Sequence, residues 1–268
     1  MASARTVADT IYYHDELNDE FSGIKRESKF IADDYRYINN NIFYRLARFV
    51  VYRVVMTPVA FLYMKFKFHH RVINKKVLKD YKHHGYFMYA NHTQVVGDGY
   101  IPNLVCFPKD VYDIVNSDNM AVKGTETLMK MLGAMPLPST IHGMTNFLNA
   151  VERRSIQRNV IMVYPEAHLW PYYTGIRNFR SVSFKYPVRF GDPSFCFTNC
   201  YKKRRFGKEP QIVSYIDGPF YPNLELPEGE RHIDLRNRIY KAMKERADKE
   251  STYVTIKYAK DPRRLPHD

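Results

Sequence analysis

Apolar residues along this chain gather in short dense runs separated by longer amphipathic stretches. The runs at 86–90 (YFMYA), 111–115 (VYDIV) and 160–164 (VIMVY) have the length and the β-branched and aromatic content of buried strands. Further strands are predicted at 193–201 and 211–216, and 251–258 alternates like a terminal strand. Between them, 99–106, 125–131 and 143–155 read as helices. At 233–247 an amphipathic helix carries Leu235, Ile239 and Met243 on one stripe. Strands alternating with helices predict a mixed α/β fold whose sheet is largely parallel and flanked by helices. Residues 1–40 lack such a pattern and read as a polar surface segment. A short helix is expected near 6–17, with Tyr12, Tyr13, Tyr35 and Tyr37 packing on the main body and no chemistry of its own.

The stretch 41–68 differs from everything around it. Pro58 and the charges Arg53 and Lys65, with only eleven uncharged residues between them, argue against a spanning helix, which needs about twenty. Arg45, Arg48 and Arg53 fall within an arc of about 140° on a helix, with Phe, Val, Leu and Met over most of the remainder. That pattern predicts a helical segment lying in a membrane interface, its basic side toward anionic headgroups. The expected organisation is therefore a polar segment (1–40), an interface helix (41–68) and one α/β domain (69–268).

Candidate chemistry lies where two of the strands stop. The first breaks into Asn91-His92-Thr93-Gln94, with Asp98 between Gly97 and Gly99. The second is stopped by Pro165 and followed at once by Glu166. In a parallel sheet both loops emerge at the same edge, so these groups are expected to meet. An imidazole that acts as a base needs a carboxylate to fix its tautomer and stabilise its charged form.

Asn91-His92 with Asp98, then Tyr164-Pro165-Glu166, then 216–222 (IDGPFYP) before an amphipathic helix, resemble in order and spacing the motifs of the glycerolipid acyltransferases, the 1-acylglycerol-3-phosphate acyltransferase family. The resemblance covers roughly 86–250. It implies direct acyl transfer without metal or resident cofactor, from acyl-CoA or an acyl-carrier protein to a lysophospholipid such as 1-acylglycerol 3-phosphate. His92 would be the general base, Asp98 its orienting carboxylate and Glu166 a partner of the acceptor. The chain departs from the family at three places. Five residues rather than four separate His92 from Asp98. Ala167, His168 and Leu169 stand where the family continues with glycine, threonine and arginine. Pro138, not an arginine, lies five after Gly133. With both family arginines missing, Arg177 and Arg180 are the expected phosphate clamps, since the guanidinium fork meets phosphate oxygens bidentately. His168 and Lys123 are further substrate-binding candidates.

Composition adds to this picture. At 268 residues and 45% apolar the chain can bury a core, and its net charge of +13 calls for an anionic partner. The first forty residues hold eight acids and five bases, so the excess sits in the domain. That polar start lacks the apolar core of a signal peptide. Cys106, Cys196 and Cys200 match no metal spacing or disulfide framework, and the adjacent pairs His69-His70 and His83-His84 read as solvated surface. The aromatics lie in apolar runs rather than among the basic clusters, so no nucleic acid is expected. The expected partners are a membrane lipid acceptor, an acyl thioester donor and an anionic membrane surface, on its cytoplasmic face. A catalytically inactive lipid-binding relative and a His/Asp-dependent hydrolase stay open as alternatives.

Overall fold

Strand β1 (Asp9–Tyr13) opens the described chain, and helices α1 (Ile42–Phe49) and α2 (Thr57–Phe68) follow it, joined by a π-helical segment, Val50–Met56. Next come β2 (Arg71–Ile73), β3 (Tyr86–Ala90), α3 (Ile101–Cys106), β4 (Val111–Val115), α4 (Glu126–Met131), β5 (Ala134–Pro136), α5 (Gly143–Ile156) and β6 (Val160–Val163). The chain ends with α6 (Lys185–Phe190), β7 (Ser194–Lys202), β8 (Gln211–Phe220), α7 (Glu228–Glu250) and β9 (Ile256–Lys260). These elements belong to a computed structural model that describes residues 9–23, 29–120 and 124–262.

Seven strands form one sheet in the order β2-β8-β7-β3-β6-β4-β5. From β7 to β5 every pairing is parallel; β8 runs antiparallel to β7, and β2 pairs parallel with β8. The central strands β3 and β6 are buried on both faces, which is why they read as continuous apolar runs. One face packs on Met64, Phe68, Ile101 and Val105 of α2 and α3. The other packs on Phe147 and Val151 of α5 and on Leu235, Ile239 and Met243 of α7, the stripe its sequence predicts. Gly85 lets β3 start against the end of α5: a Cβ there would stand 2.3 Å from the Ser155 carbonyl oxygen. The sheet therefore brings the C-terminal ends of β3, β6 and β4 to one edge, side by side.

The N-terminal stretch is built differently from its expectation. Residues 9–13 are a strand, not a helix, and pair in parallel with β9 to make a separate two-stranded sheet. Tyr13 and Tyr37 pack on the domain, against Trp170 and Phe147 respectively. His70, expected at the surface, is buried against the Ser214 hydroxyl at 2.8 Å, and burial lowers its pKa to about 4.

Residues Ile42–Phe68 form one continuous 27-residue helix, long and apolar enough to cross a membrane by length and composition. Asn41 caps it, accepting the amide hydrogens of Phe43 and Tyr44. Pro58 does not break it. The π-helical segment lies just before the proline, where the i to i−4 bonding would fail, and the Thr57 hydroxyl returns a bond to the Tyr52 carbonyl. His69, in a left-handed conformation, ends it. Tyr52, Ala60, Met64 and Phe68 face the domain, while Phe43, Leu46, Phe49, Val54, Phe61, Leu62 and Phe66 are exposed. The basic side is corrected here. Arg48 and Arg53 turn inward to Asp110, Arg48 at 2.5 Å, and lie over the Tyr112 and Tyr52 rings. Only Arg45 of the three stays exposed.

Burial alone would raise the Asp110 pKa; Arg48 and Arg53 reverse that and hold it below the usual carboxylate range. Asp110→Ala is expected to cost about 2–4 kcal/mol, because two largely buried guanidinium groups lose their counter-charge. A depressed carboxylate stabilises above its unfolded pKa of about 4 and ceases to do so as pH falls through its lower folded value. Urea unfolding of wild type and variant should therefore show a gap at pH 7 that narrows below about pH 4. An equal gap at both pH values would refute the pairing.

Candidate active site

β3 stops at Ala90 because Asn91 leaves the strand ladder with its side chain. The Asn91 amide donates to the Asn199 carbonyl, and its Oδ1 accepts the Asn199 N–H at 2.8 Å, anchoring the chain to β7. His92 follows on the open edge. Its Nδ1 lies 2.8 Å from Asp98 Oδ2, and the same oxygen accepts the backbone N–H groups of Thr93 and Gln94 at 2.8 and 2.9 Å. The residue that lengthens this loop is thereby absorbed: the chain curls so that two amides and an imidazole converge on one carboxylate oxygen. Gly97 permits the curl, since a Cβ there would sit 2.9 Å from the Gln94 side chain.

The imidazole stacks on Tyr164 with ring centroids 4.6 Å apart, and the Tyr164 hydroxyl donates to the Asp98 carbonyl at 2.7 Å. Tyr201 donates to the Thr93 hydroxyl at 2.7 Å from the other side. Asp98 is buried while about a fifth of the His92 side chain is exposed. With Nδ1 held by the carboxylate, Nε2 is the ring nitrogen left for a substrate. That arrangement can take a proton from a hydroxyl and stabilise the resulting imidazolium. Asp113, midway along β4 and in register with Met162, is a second carboxyl within electrostatic reach of Asp98. Its Oδ1 is unpaired, and burial, then the Asp98 charge, push its pKa up to about 7.

Glu166 ties the two loops together. Its Oε2 accepts the His92 N–H at 3.0 Å and its Oε1 accepts the Arg177 N–H at 2.9 Å, while the Arg177 guanidinium lies 3.3 Å away. Burial pushes the Glu166 carboxyl up; Arg177 and the two backbone amides pull against it. Two backbone bonds add to the tie, Trp170 N–H to the His92 carbonyl and Tyr172 N–H to that of Thr93. Ala167 adopts φ +62°, in the left-handed region, at the position where the resembling family has glycine.

Two expected roles are corrected by this geometry. The Glu166 and Arg177 side chains have no exposed surface. Glu166 holds the loops rather than meeting an acceptor hydroxyl. Arg177 is not a phosphate clamp: its guanidinium donates to the His168 and Glu16 carbonyls and lies 4.7 Å over the Trp170 ring. Arg180 is exposed on the surface near Asp15. His168 is a third exposed and pairs with Glu20 at 3.4 Å. Lys123 lies outside the described residues. Among the described residues no three His, Cys, Asp or Glu side chains converge to hold a metal.

Residues 9–23 supply what the sequence reading missed. They cross the loop after β6: the Trp170 indole donates to the Asp19 carbonyl at 2.8 Å, and Phe21 N–H to Leu169. Tyr13, Phe21, Tyr173 and Tyr258 surround the Trp170 ring, with centroids 4.8 to 5.4 Å away. Glu20 accepts the Leu169 N–H at 3.1 Å and pairs with His168. Burial would raise its pKa, but hydrogen bonds from Leu169 and Ser22 and the nearby His92 charge lower it. The acidic count of the segment was the available signal; nothing local said which acid would reach the site.

Neither a family model nor a curated protein matches the chain. Among solved structures it is similar to the 1-acyl-sn-glycerophosphate (LPA) acyltransferase PlsC from Thermotoga maritima. Identity is 15% and the TM-score 0.53, over 78% of this chain and 84% of that one. The shared property is the fold: a mixed, largely parallel sheet flanked by helices, as in that acyltransferase.

Glu166→Gln is expected to destabilise by about 3–5 kcal/mol, since it leaves the buried Arg177 guanidinium without a counter-charge. Adding Arg177→Met should recover part of that loss, because the orphaned cation is then gone. Urea unfolding of the two single variants and the double variant measures both. Strictly additive losses would show that the pair does not hold the loops as a unit.

Proposed function

We propose that this chain is a membrane-associated O-acyltransferase that moves an acyl group from a thioester to the hydroxyl of a lysophospholipid. The carrying observation is the His92–Asp98 pair, hydrogen-bonded at 2.8 Å with the imidazole open on one side, at the edge of an acyltransferase-like sheet. Nε2 of His92 takes the proton of the acceptor hydroxyl, and the oxygen attacks the thioester carbonyl. The tetrahedral intermediate collapses with cleavage of the C–S bond, and the thiolate recovers the proton from the imidazolium. Asp98 holds the tautomer and offsets the transient positive charge. Acyl-CoA or an acyl-carrier protein is the donor, so the site faces the cytoplasm, where such thioesters are held. The exposed apolar face of Ile42–Phe68 fits the membrane that supplies the acceptor. The opposite flank is docked on the domain through Asp110, which fits a helix lying in the interface better than one crossing it.

His92→Ala is expected to lower transfer about 10²- to 10⁴-fold without lowering Tm, and Asp98→Asn to lower it as well. Free thiol and acylated lipid, followed together, test this. Free fatty acid in place of acylated lipid would make the protein a hydrolase. Full transfer by folded His92→Ala would end the mechanism.

The charges around the dyad narrow the acceptor. Arg177 is committed inside the fold, and an acid, Glu20, held by the Leu169 N–H next to His168, lies within electrostatic reach of His92. A dianionic phosphomonoester is repelled there, so a lysophospholipid with a phosphodiester headgroup is favoured over 1-acylglycerol 3-phosphate. A like charge near a surface is worth about 1 kcal/mol, or roughly fivefold. Glu20→Gln should accordingly raise kcat/KM for 1-acylglycerol 3-phosphate relative to lysophosphatidylcholine by about fivefold. An unchanged ratio would remove Glu20 from acceptor choice.

A further inference from the structure

The turn between β7 and β8 carries Lys203-Arg204-Arg205-Phe206-Gly207-Lys208, five of whose six residues are cationic or aromatic. Such a run on a hairpin is most often mere solvated surface. Here its placement is more particular. The Arg204 guanidinium donates to the Lys67 carbonyl at the end of α2, and Gln211 donates to the His69 carbonyl at 3.0 Å. The turn is thus fastened to the end of the apolar helix. Phe206 projects from it with 74% of its surface exposed, and Phe66 on α2 with 72%. Lys65, Lys67, Lys203, Arg205 and Lys208 are exposed around these two rings. Among them the one acid, Glu209, is engaged by the Tyr172 hydroxyl at 2.6 Å.

We propose that the β7–β8 turn is a second membrane-docking element, which seats on an anionic phospholipid surface together with the exposed end of helix α2. Cations ringing an exposed aromatic suit the interface: the ring enters the acyl boundary while the charges stay among anionic headgroups. An acidic protein surface would complement the charge but would leave two phenylalanines unburied beside an apolar helix face that continues away from them. A bilayer covers both at once. The turn also reaches the site: Tyr172, which Glu209 holds, donates its N–H to the Thr93 carbonyl beside His92. Docking the turn therefore places the mouth of the site, where Val95 and Val96 are exposed, near the same surface. The inference concerns binding and stands whether or not the chain transfers acyl groups.

Co-sedimentation of the full chain with vesicles of phosphatidylcholine alone, or of phosphatidylcholine with phosphatidylglycerol, tests it. The triple variant Lys203→Glu, Arg205→Glu, Lys208→Glu should partition onto anionic vesicles at least roughly tenfold less, since each cation near such a surface contributes about fivefold. It should keep wild-type binding to neutral vesicles and wild-type Tm. Phe206→Ser should weaken binding to both. Reversing Lys241, Lys244 and Lys249, exposed on α7, makes the same change in net charge elsewhere and should leave binding within about twofold of wild type. Wild-type binding by the triple variant on anionic vesicles would overturn the proposal. So would an equal loss in the α7 variant, which would make the effect one of overall charge.

Discussion

A carboxylate sealed from solvent holds the site together. Glu166 ends one strand, yet its oxygens bind the backbone of the loop that ends another and of a third segment eleven residues on. A charge so placed is unfavourable unless its bonding is complete. Here two amides and one guanidinium complete it, and the requirement makes the geometry unique. The Arg177 backbone and side chain must both come to Glu166, which brings the Trp170 loop under residues 9–23. His92 inherits its position from that arrangement, because its own N–H is one of the bonds that Glu166 needs.

The same constraint reallocates the cations. A guanidinium used inside the fold cannot also meet a substrate, so the loop most suited to gripping a phosphate spends its arginine on structure. Something similar happens on the helix of residues 42–68. Two of its three arginines neutralise Asp110 at the base of β4, and the surface left outward is apolar rather than basic. The net charge of +13 is thus a poor guide to where an anion binds. What matters is which cations remain after internal acids have been satisfied, and one group of these lies beside exposed aromatics at the end of α2 and in the β7–β8 turn.

Residues 9–23 show how far from the chemistry a site can be completed. β1 pairs with β9, so the two ends of the described chain close over Trp170, and Glu20 reaches the Leu169 N–H as part of that closure. Their polar, aperiodic composition gave no reason to place them there. Polar side chains that serve as hydrogen-bond acceptors for a distant loop look, in sequence, like solvated surface.

Strands β1, β2 and β5 were not legible in the sequence, whereas the central strands β3, β4 and β6, the strands β7 and β8, the helices α3, α4, α5 and α7 and the meeting of His92 with Asp98 were. Each rests on a local rule: apolar period, strand-stopping proline, glycine on either side of a tight turn, and the shared edge of a parallel sheet. The Leu235, Ile239 and Met243 stripe is buried against the sheet, as its helical period requires. Tertiary structure alone decided the partners of the charges. Arg48 and Arg53 lie on a sequence-legible arc of a helix, but whether that arc meets lipid or Asp110 depends on which strand end packs opposite. Arg177, expected at the substrate, lies inside the fold, and Glu20, from a segment expected to carry no chemistry, pairs with His168. Burial and pairing of a charge are set by elements distant in sequence, and a local pattern carries no information about them.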